Sequence, residues 1–190
     1  MKRVSVVGNS GSGKSALAAR LARQLGVPHV ELDSIFHLAG WEQRPEPEFR
    51  DLVLAAARAD GWVIDGNYHA VRELVWERAD TVVWLDLPRH IVMRRIIWRT
   101  LTRLLLRRRL WNGNRERLAN LLSRDPEKSI IAWSWTRHRE YAVRYAAAMA
   151  DPRWAGLRFV RVQSPRAAGR LIGTAVAGDH PDRQCEDHAR

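Results

Sequence analysis

The stretch that decides the fold lies near the N-terminus and reads Gly8-Asn9-Ser10-Gly11-Ser12-Gly13-Lys14-Ser15. It fits the pattern Gly-x-x-x-x-Gly-Lys-Ser/Thr of a phosphate-binding loop. The valine-rich run at residues 4–7 predicts a buried strand before it, and residues 16–25, closed by Gly26, predict a helix after it. The succession of strand, glycine loop and helix separates a working phosphate loop from a chance match.

The residue types of this loop suit a triphosphate. Glycines let successive backbone N–H groups turn toward the α and β phosphates. Lys14 would reach the β and γ phosphates, and the Ser15 hydroxyl would ligate Mg²⁺. We therefore predict a nucleotide-binding set made of Gly8, Asn9, Ser10, Gly11, Ser12, Gly13, Lys14, Ser15 and Ala16.

Length and composition favour one domain. The chain has 190 residues and a single cysteine, Cys185, which excludes an intramolecular disulfide. We expect one domain over residues 1–176, a flexible tail at 177–190, and a monomer or homodimer. No signal-peptide pattern and no membrane-spanning run is visible, so the expected location is the cytoplasm.

The charge of the chain is strongly positive. The formal net charge is +11, and only three of its 32 basic residues are lysines. The planar fork of arginine suits phosphate groups, in a nucleotide or in a nucleic acid. A biased base composition would produce the same excess of arginine. Charge alone therefore leaves nucleic acid as a possible but not favoured partner.

Strand and helix patterns alternate along the rest of the chain. Further strands are predicted at residues 27–33, 61–65, 81–85 and 157–162. Helices are predicted at residues 48–60, 89–110, 127–149 and 165–176, and a short helix that follows residues 66–68 is predicted to end at residue 76. Residues 34–47 are expected to form a loop. Alternating strands and helices imply parallel strands joined by right-handed crossovers. The predicted fold is therefore a three-layer α/β fold with a parallel sheet of about five strands.

Three carboxylates follow predicted strands, where ligands bind in sheets of this kind. Asp65 is predicted to hold Mg²⁺ with Ser15, and Asp33 to orient an acceptor hydroxyl or to take its proton. A functional role is favoured less for Asp86 than for the other two. The alternative for all three is that they are ordinary aspartates at a strand end or a helix cap. Trp41 would either stack on an acceptor or pack in the core. The predicted acceptor-binding residues are Asp33, His37, Trp41, Arg44, Asp65 and Asn67.

An arginine-rich helix begins near residue 89. Arginines at positions 95, 99, 103 and 107 recur every four residues and predict a basic stripe on one helix face. The apolar residues Ile97, Leu101, Leu104 and Leu105 are predicted to pack inward from another face. Arg108, Arg109, Arg115 and Arg117 continue the charge. We predict a lid at about residues 100–126 that closes over the phosphates, with a nucleic-acid surface and a solvated face as alternatives.

Taken together, the motifs resemble the adenylate-kinase-like family of small P-loop kinases. The match is closest to the bacterial group often labelled DNA topology modulation proteins or adenylate kinase-related kinases. It rests on the phosphate loop, Leu32-Asp33-x-x-x-His37-x-x-x-Trp41, Asp65-Gly66-Asn67-Tyr68, Trp84-Leu85-Asp86-Leu87-Pro88-Arg89 and Trp111-Asn112-Gly113-Asn114-Arg115-Glu116.

The resemblance implies ATP as the donor, with Arg95 and Arg99 as nucleotide contacts. Asn67-Tyr68-His69 stands where adenylate kinases have Phe-Pro-Arg, so the acceptor is open. The strand end at Asp33 looks more like that of shikimate or gluconate kinases, where an aspartate meets the acceptor.

The sequence thus predicts an ATP- and Mg²⁺-dependent phosphotransferase that acts on a nucleotide, a nucleoside or a similar small acceptor. Its predicted catalytic residues are Lys14, Asp33, Arg95 and Arg115. The alternative is an ATP-binding regulator that associates with DNA and has little kinase activity. A GTPase would need an Asn-Lys-x-Asp guanine contact, and none of the three lysines stands in one.

Overall fold

The computed structural model describes residues 1–105, 112 and 129–177, and these form an α/β structure around one sheet. Its five strands are all parallel, in the order β2-β3-β1-β4-β5. This arrangement confirms the predicted fold class. The strands are β1 (Arg3–Gly8), β2 (His29–Glu31), β3 (Trp62–Asp65), β4 (Thr81–Leu85) and β5 (Arg158–Val162).

Helices connect the strands at nearly all the predicted places. Short 3-10 turns cover Ala39–Trp41 and Pro152–Trp154. The described α-helices are α1 (Lys14–Leu25), α2 (Leu32–Phe36), α3 (Glu46–Ala56), α4 (His69–Trp76), α5 (Arg89–Leu105), α6 (Ile130–Ala150) and α7 (Pro165–Ala177).

The predicted second strand was too long, because it included Asp33. In the structure Glu31 is the register partner of Asp65, the last residue of β3. The chain beyond Glu31 therefore has no strand to pair with. It turns into α2, which replaces the first part of the predicted loop and carries Asp33 in its first turn.

Apolar side chains cover both faces of the sheet. One face packs on α3, α4 and α6 through the aromatic residues Trp62, Trp76 and Trp84, which are 0%, 1% and 2% exposed. These three tryptophans are core residues, as predicted. The other face packs on α1 and α7. Each fully buried aromatic removes about 150–250 Å² from water, which is worth roughly 4–6 kcal/mol before entropy is counted.

The buried face of α5 differs from the predicted one. Ile97 and Leu101 are 41% and 39% exposed, whereas Val92, Ile96 and Thr100 are buried. The buried stripe packs on the phosphate loop, since a Cβ at Gly11 would lie 3.0 Å from Ile96 Cβ. Residues one position further along are rotated by about 100° and face outward. The prediction that Ile97 and Leu101 pack inward was therefore wrong, and the side chains of Leu104 and Leu105 lie outside the described part.

Within the described part of the chain, none of the helices combines the length and the apolar character needed to cross a bilayer.

Candidate phosphate-binding site and acceptor pocket

The loop between β1 and α1 has the backbone of a phosphate cradle. Gly8, Gly11 and Gly13 have φ values of 143°, 78° and 96°. These are positive angles that side-chain-bearing residues rarely adopt. A Cβ at Gly8 would lie 2.6 Å from the carbonyl oxygen of Leu85, so the close passage of β1 beside β4 also requires glycine. The loop then leads directly into the N-terminus of α1, where backbone N–H groups favour anions.

Lys14 lies folded against this loop. Its Nζ donates to the carbonyl oxygen of Asn9 at 3.2 Å. Burial lowers the pKa of Lys14, and attraction to Asp33 and Asp65 only partly offsets this effect. A triphosphate would provide the negative charge that this buried ammonium group needs. Asp33 and Asp65 therefore lie close enough for their charges to act on Lys14.

Two arginines of α5 reach the loop from its outer side. Arg95 Nη1 donates to the carbonyl oxygen of Ser12 at 2.9 Å, and Arg99 Nη2 donates to Ser10 Oγ at 3.3 Å. Each arginine directly precedes a buried residue of α5, Ile96 or Thr100, so its side chain lies beside the face that packs on the loop. The other predicted lid arginines lie outside the described residues, or their side chains do; these are Arg103, Arg107, Arg108, Arg109, Arg115 and Arg117.

Ser15 and Asp65 are brought together as the predicted metal pair requires. Ser15 Oγ donates to Asp65 Oδ1 at 3.1 Å, and the other carboxylate oxygen lies 2.6 Å from His29 Nε2. Asp65 is only 3% exposed. Among the described residues no group of three or more His, Cys, Asp or Glu side chains could hold a metal ion alone. Magnesium in phosphate sites commonly uses one or two carboxylates together with substrate phosphates, so this hydroxyl–carboxylate pair fits that ion.

Asn67 attaches the end of β3 to the start of the phosphate loop. Its Oδ1 accepts from Gly8 N at 3.1 Å, and its Nδ2 donates to Gly8 O at 2.5 Å. Tyr145 of α6 also donates its hydroxyl to Asn67 Oδ1, at 3.0 Å. The amide of Asn67 is therefore engaged in holding the loop, and the prediction that it also binds an acceptor stays a prediction.

Several of the predicted acceptor-binding residues lie around Asp33 of α2. The Tyr68 hydroxyl donates to Asp33 Oδ1 at 2.7 Å and lies 3.4 Å from His37 Nε2. The ring of His37 meets Trp41 edge to face, with centroids 5.4 Å apart. Trp41 is 37% exposed and so is not a core residue. Three of the predicted acceptor residues are thus close neighbours.

Arg44 and Asp86 have identifiable partners in the structure. Arg44 Nε donates to the carbonyl oxygen of Ile35 at 2.8 Å, and its guanidinium pairs with Glu48, so Arg44 braces the chain between α2 and α3. Asp86 accepts two hydrogen bonds from Arg161, at 2.9 and 2.6 Å. The ordinary reading of Asp86 as a strand-end aspartate agrees with this ion pair.

Four residues at the site had no role in the sequence prediction, namely His29, Tyr68, Ser134 and Tyr145. Ser134 is fully buried on α6, where its carbonyl oxygen accepts from Asn9 Nδ2 at 2.9 Å and its hydroxyl donates to Ser10 O at 3.1 Å. Because Ser134 lies about 125 positions from the loop in the sequence, no local sequence pattern indicates that the two are in contact. Tyr68, by contrast, directly follows the Asp65-Gly66-Asn67 motif and could have been proposed from that position.

Comparison with known proteins gives a likeness of fold. No family model and no curated protein matches the chain. Among solved structures, the chain is similar to the crystal structure of shikimate kinase from Bacteroides thetaiotaomicron. The TM-score is 0.54 at 16% sequence identity, over 91% of this chain and 95% of that chain. The likeness therefore extends over nearly the whole of both chains, and this protein has the fold of a small P-loop kinase.

Proposed function

We propose that this protein is an ATP-dependent phosphotransferase that moves the γ-phosphoryl group to a small acceptor bearing a hydroxyl or phosphate group. The observation that carries the proposal is the Ser15–Asp65 hydrogen bond of 3.1 Å at the end of the phosphate loop, together with Asp33, which lies close enough for its charge to act on Lys14. A phosphate loop alone would serve any nucleotide-binding protein. The carboxylate of Asp33 on α2 adds a group that would take an acceptor proton.

The donor half of the reaction is assigned to the phosphate loop and α5. Lys14 would neutralise charge that develops on the β–γ bridging oxygen, and the loop amides would hold the α and β phosphates. Arg95 and Arg99 already contact the loop and would need only to reorient toward phosphate. We propose ATP as the nucleotide; the similarity to a kinase fold supports this choice.

Ser15 and Asp65 would hold Mg²⁺, which would supply positive charge to offset that of the phosphates. His29 would fix the Asp65 carboxylate through its second oxygen. The hydrogen bonds from Ser15 and from His29 together would hold the Asp65 carboxylate in one orientation.

The acceptor half is assigned to Asp33 with its neighbours His37 and Trp41. Asp33 would accept the proton of the attacking hydroxyl as that oxygen bonds to the γ-phosphorus.

Two expectations from the sequence stay predictions. These are the membership of the bacterial group named above and the role of Arg115 in a lid.

The test is direct transfer from labelled Mg-ATP to a panel of nucleoside monophosphates, nucleosides and small polyols. We expect transfer to at least one member of the panel. Asp33→Asn should reduce that transfer at least about 100-fold while leaving the Kd for Mg-ATP within about threefold. The matched control is Asp86→Asn, because the Asp86 carboxylate pairs with Arg161 and has no part in the proposed reaction. We expect this variant to keep its transfer activity.

Two results would contradict the proposal. The first is ATP binding with no transfer to any acceptor; tight DNA binding with a steep salt dependence would then favour the regulator. The second is full activity of the Asp33→Asn variant, which would remove Asp33 from the mechanism.

A further inference from the structure

The hydroxyl of Tyr68 donates a hydrogen bond to the carboxylate of Asp33, the residue assigned above to the acceptor. Its ring is fixed by Phe36 and Phe49, with centroids 4.6 and 5.1 Å away. The hydroxyl therefore has a position determined by packing, and at that position it lies 2.7 Å from Asp33 Oδ1. A donor held by two aromatic neighbours restrains the carboxylate without itself needing to move.

The direction of the hydrogen bonds follows from the protons available. A tyrosine hydroxyl has one proton, and a carboxylate oxygen accepts, so Tyr68 donates that proton to Asp33 Oδ1. Burial, followed by the charge of Asp33, raises the pKa of Tyr68 far above its usual range, so its proton stays in place. Burial lowers the pKa of His37, whose neutral ring can present Nε2–H to the Tyr68 oxygen at 3.4 Å. The chain of donation then runs from His37 through Tyr68 to Asp33.

We propose that Tyr68 is a positioning residue, which occupies Oδ1 of Asp33 and thereby leaves Oδ2 as the oxygen that meets the acceptor. This inference rests on the proposed phosphotransferase function. In that reaction the acceptor O–H bond breaks and its proton goes to Asp33 Oδ2. The acceptor oxygen bonds to the γ-phosphorus, and the bond from that phosphorus to the β–γ bridging oxygen breaks to release ADP.

The hydrogen bond also restricts how the carboxylate can rotate. Asp33 stands in the first turn of a five-residue helix, whereas Tyr68 comes from the segment after β3. The contact thus joins two separate elements on the acceptor side. Loss of the phenolic hydroxyl would free the carboxylate to turn while leaving the ring contacts with Phe36 and Phe49 in place.

Tyr68→Phe provides the kinetic test, with whichever acceptor the panel identifies. We expect kcat to fall about tenfold, as for one hydrogen bond to a charged group, while the KM for ATP changes less than about twofold. Tyr68→Leu is the comparison variant, because it removes the ring packing as well. A purely structural role predicts that the fall in kcat follows the loss of stability across the two variants.

A double-mutant cycle on the unfolding equilibrium provides a second test that needs no acceptor. Tyr68→Phe and Asp33→Asn should be non-additive, with coupling of about fivefold or more in the unfolding constant. Additive effects, or an unchanged kcat in Tyr68→Phe, would overturn the inference even if the enzyme transfers phosphate normally. Coupling without transfer by the unmodified protein would instead mean that the proposed function has failed, and the role of Tyr68 with it.

Discussion

Replacing Asn67 by alanine tests how the phosphate loop is held in place. The side chain makes three hydrogen bonds, two with the backbone of Gly8 and one with the Tyr145 hydroxyl. A net value of about 1 kcal/mol for each gives a loss of about 3 kcal/mol in the free energy of unfolding. For a chain of this size that corresponds to a fall in Tm of about 6–12 °C.

Urea and thermal unfolding followed by circular dichroism would measure this loss. Tyr145→Phe is the graded control, because it removes only one of the three bonds and should cost about 1 kcal/mol. We also expect Asn67→Ala to weaken Mg-ATP binding, since Gly8 begins the phosphate cradle. If Asn67→Ala unfolds within about 0.5 kcal/mol of the unmodified protein, the ordinary scatter of surface substitutions, then the Asn67 side chain does not hold the loop.

Two further predictions concern the first strand. Gly8→Ala should destabilise the protein by about 2–4 kcal/mol in urea unfolding, because the added Cβ would lie 2.6 Å from the Leu85 carbonyl oxygen at a φ of 143°; a neutral effect would mean that β1 and β4 are further apart than described. Burial by itself would raise the pKa of Asp80, but hydrogen bonds from the backbone N–H groups of Arg3 and Lys2, at 2.8 and 2.7 Å, and from the Thr81 hydroxyl lower it below its ordinary value of 3.8. Because the pKa of Asp80 is lower in the folded state than in the unfolded state, its contacts stabilise the fold at pH values above the unfolded pKa. Asp80→Ala should therefore cost about 1–2 kcal/mol in the free energy of unfolding at pH 7, and this cost should shrink as the pH falls below about 4. A cost that does not change with pH would mean that the Asp80 carboxylate does not make these contacts in its charged form.

The sequence predicted the fold well wherever the signal was local. The glycine loop and the buried strands, such as Thr81–Leu85, depend on patterns within a few residues. The end of β2 was misplaced because it depends on where β3 stops, which is a property of the pairing. The buried face of α5 was also misplaced, because apolar residues occur on more than one face and the loop it packs against lies about 80 positions away.

The candidate site was predictable in its residue types but not in its connections. Asp33, Asp65 and Ser15 were selected from strand ends and from the loop motif. Tyr68 and His29 were not, since hydrogen bonds between side chains at separations of about 35 positions leave no trace in periodicity. These connections determine which carboxylate oxygens remain available, and so they bear on mechanism more than on fold.

The proposed function requires that the main-chain amides of residues 8–15, together with Lys14, bind a triphosphate. Isothermal titration of the purified protein with Mg-ATP measures this binding, with Lys14→Ala and the exposed Lys2→Ala compared at the same ionic strength. We predict a measurable heat of association, a loss of affinity of about tenfold to 100-fold in Lys14→Ala from one charge-assisted contact, and an unchanged Kd in Lys2→Ala. If the folded, unmodified protein gives no heat with either Mg-ATP or Mg-GTP, this loop does not bind a triphosphate.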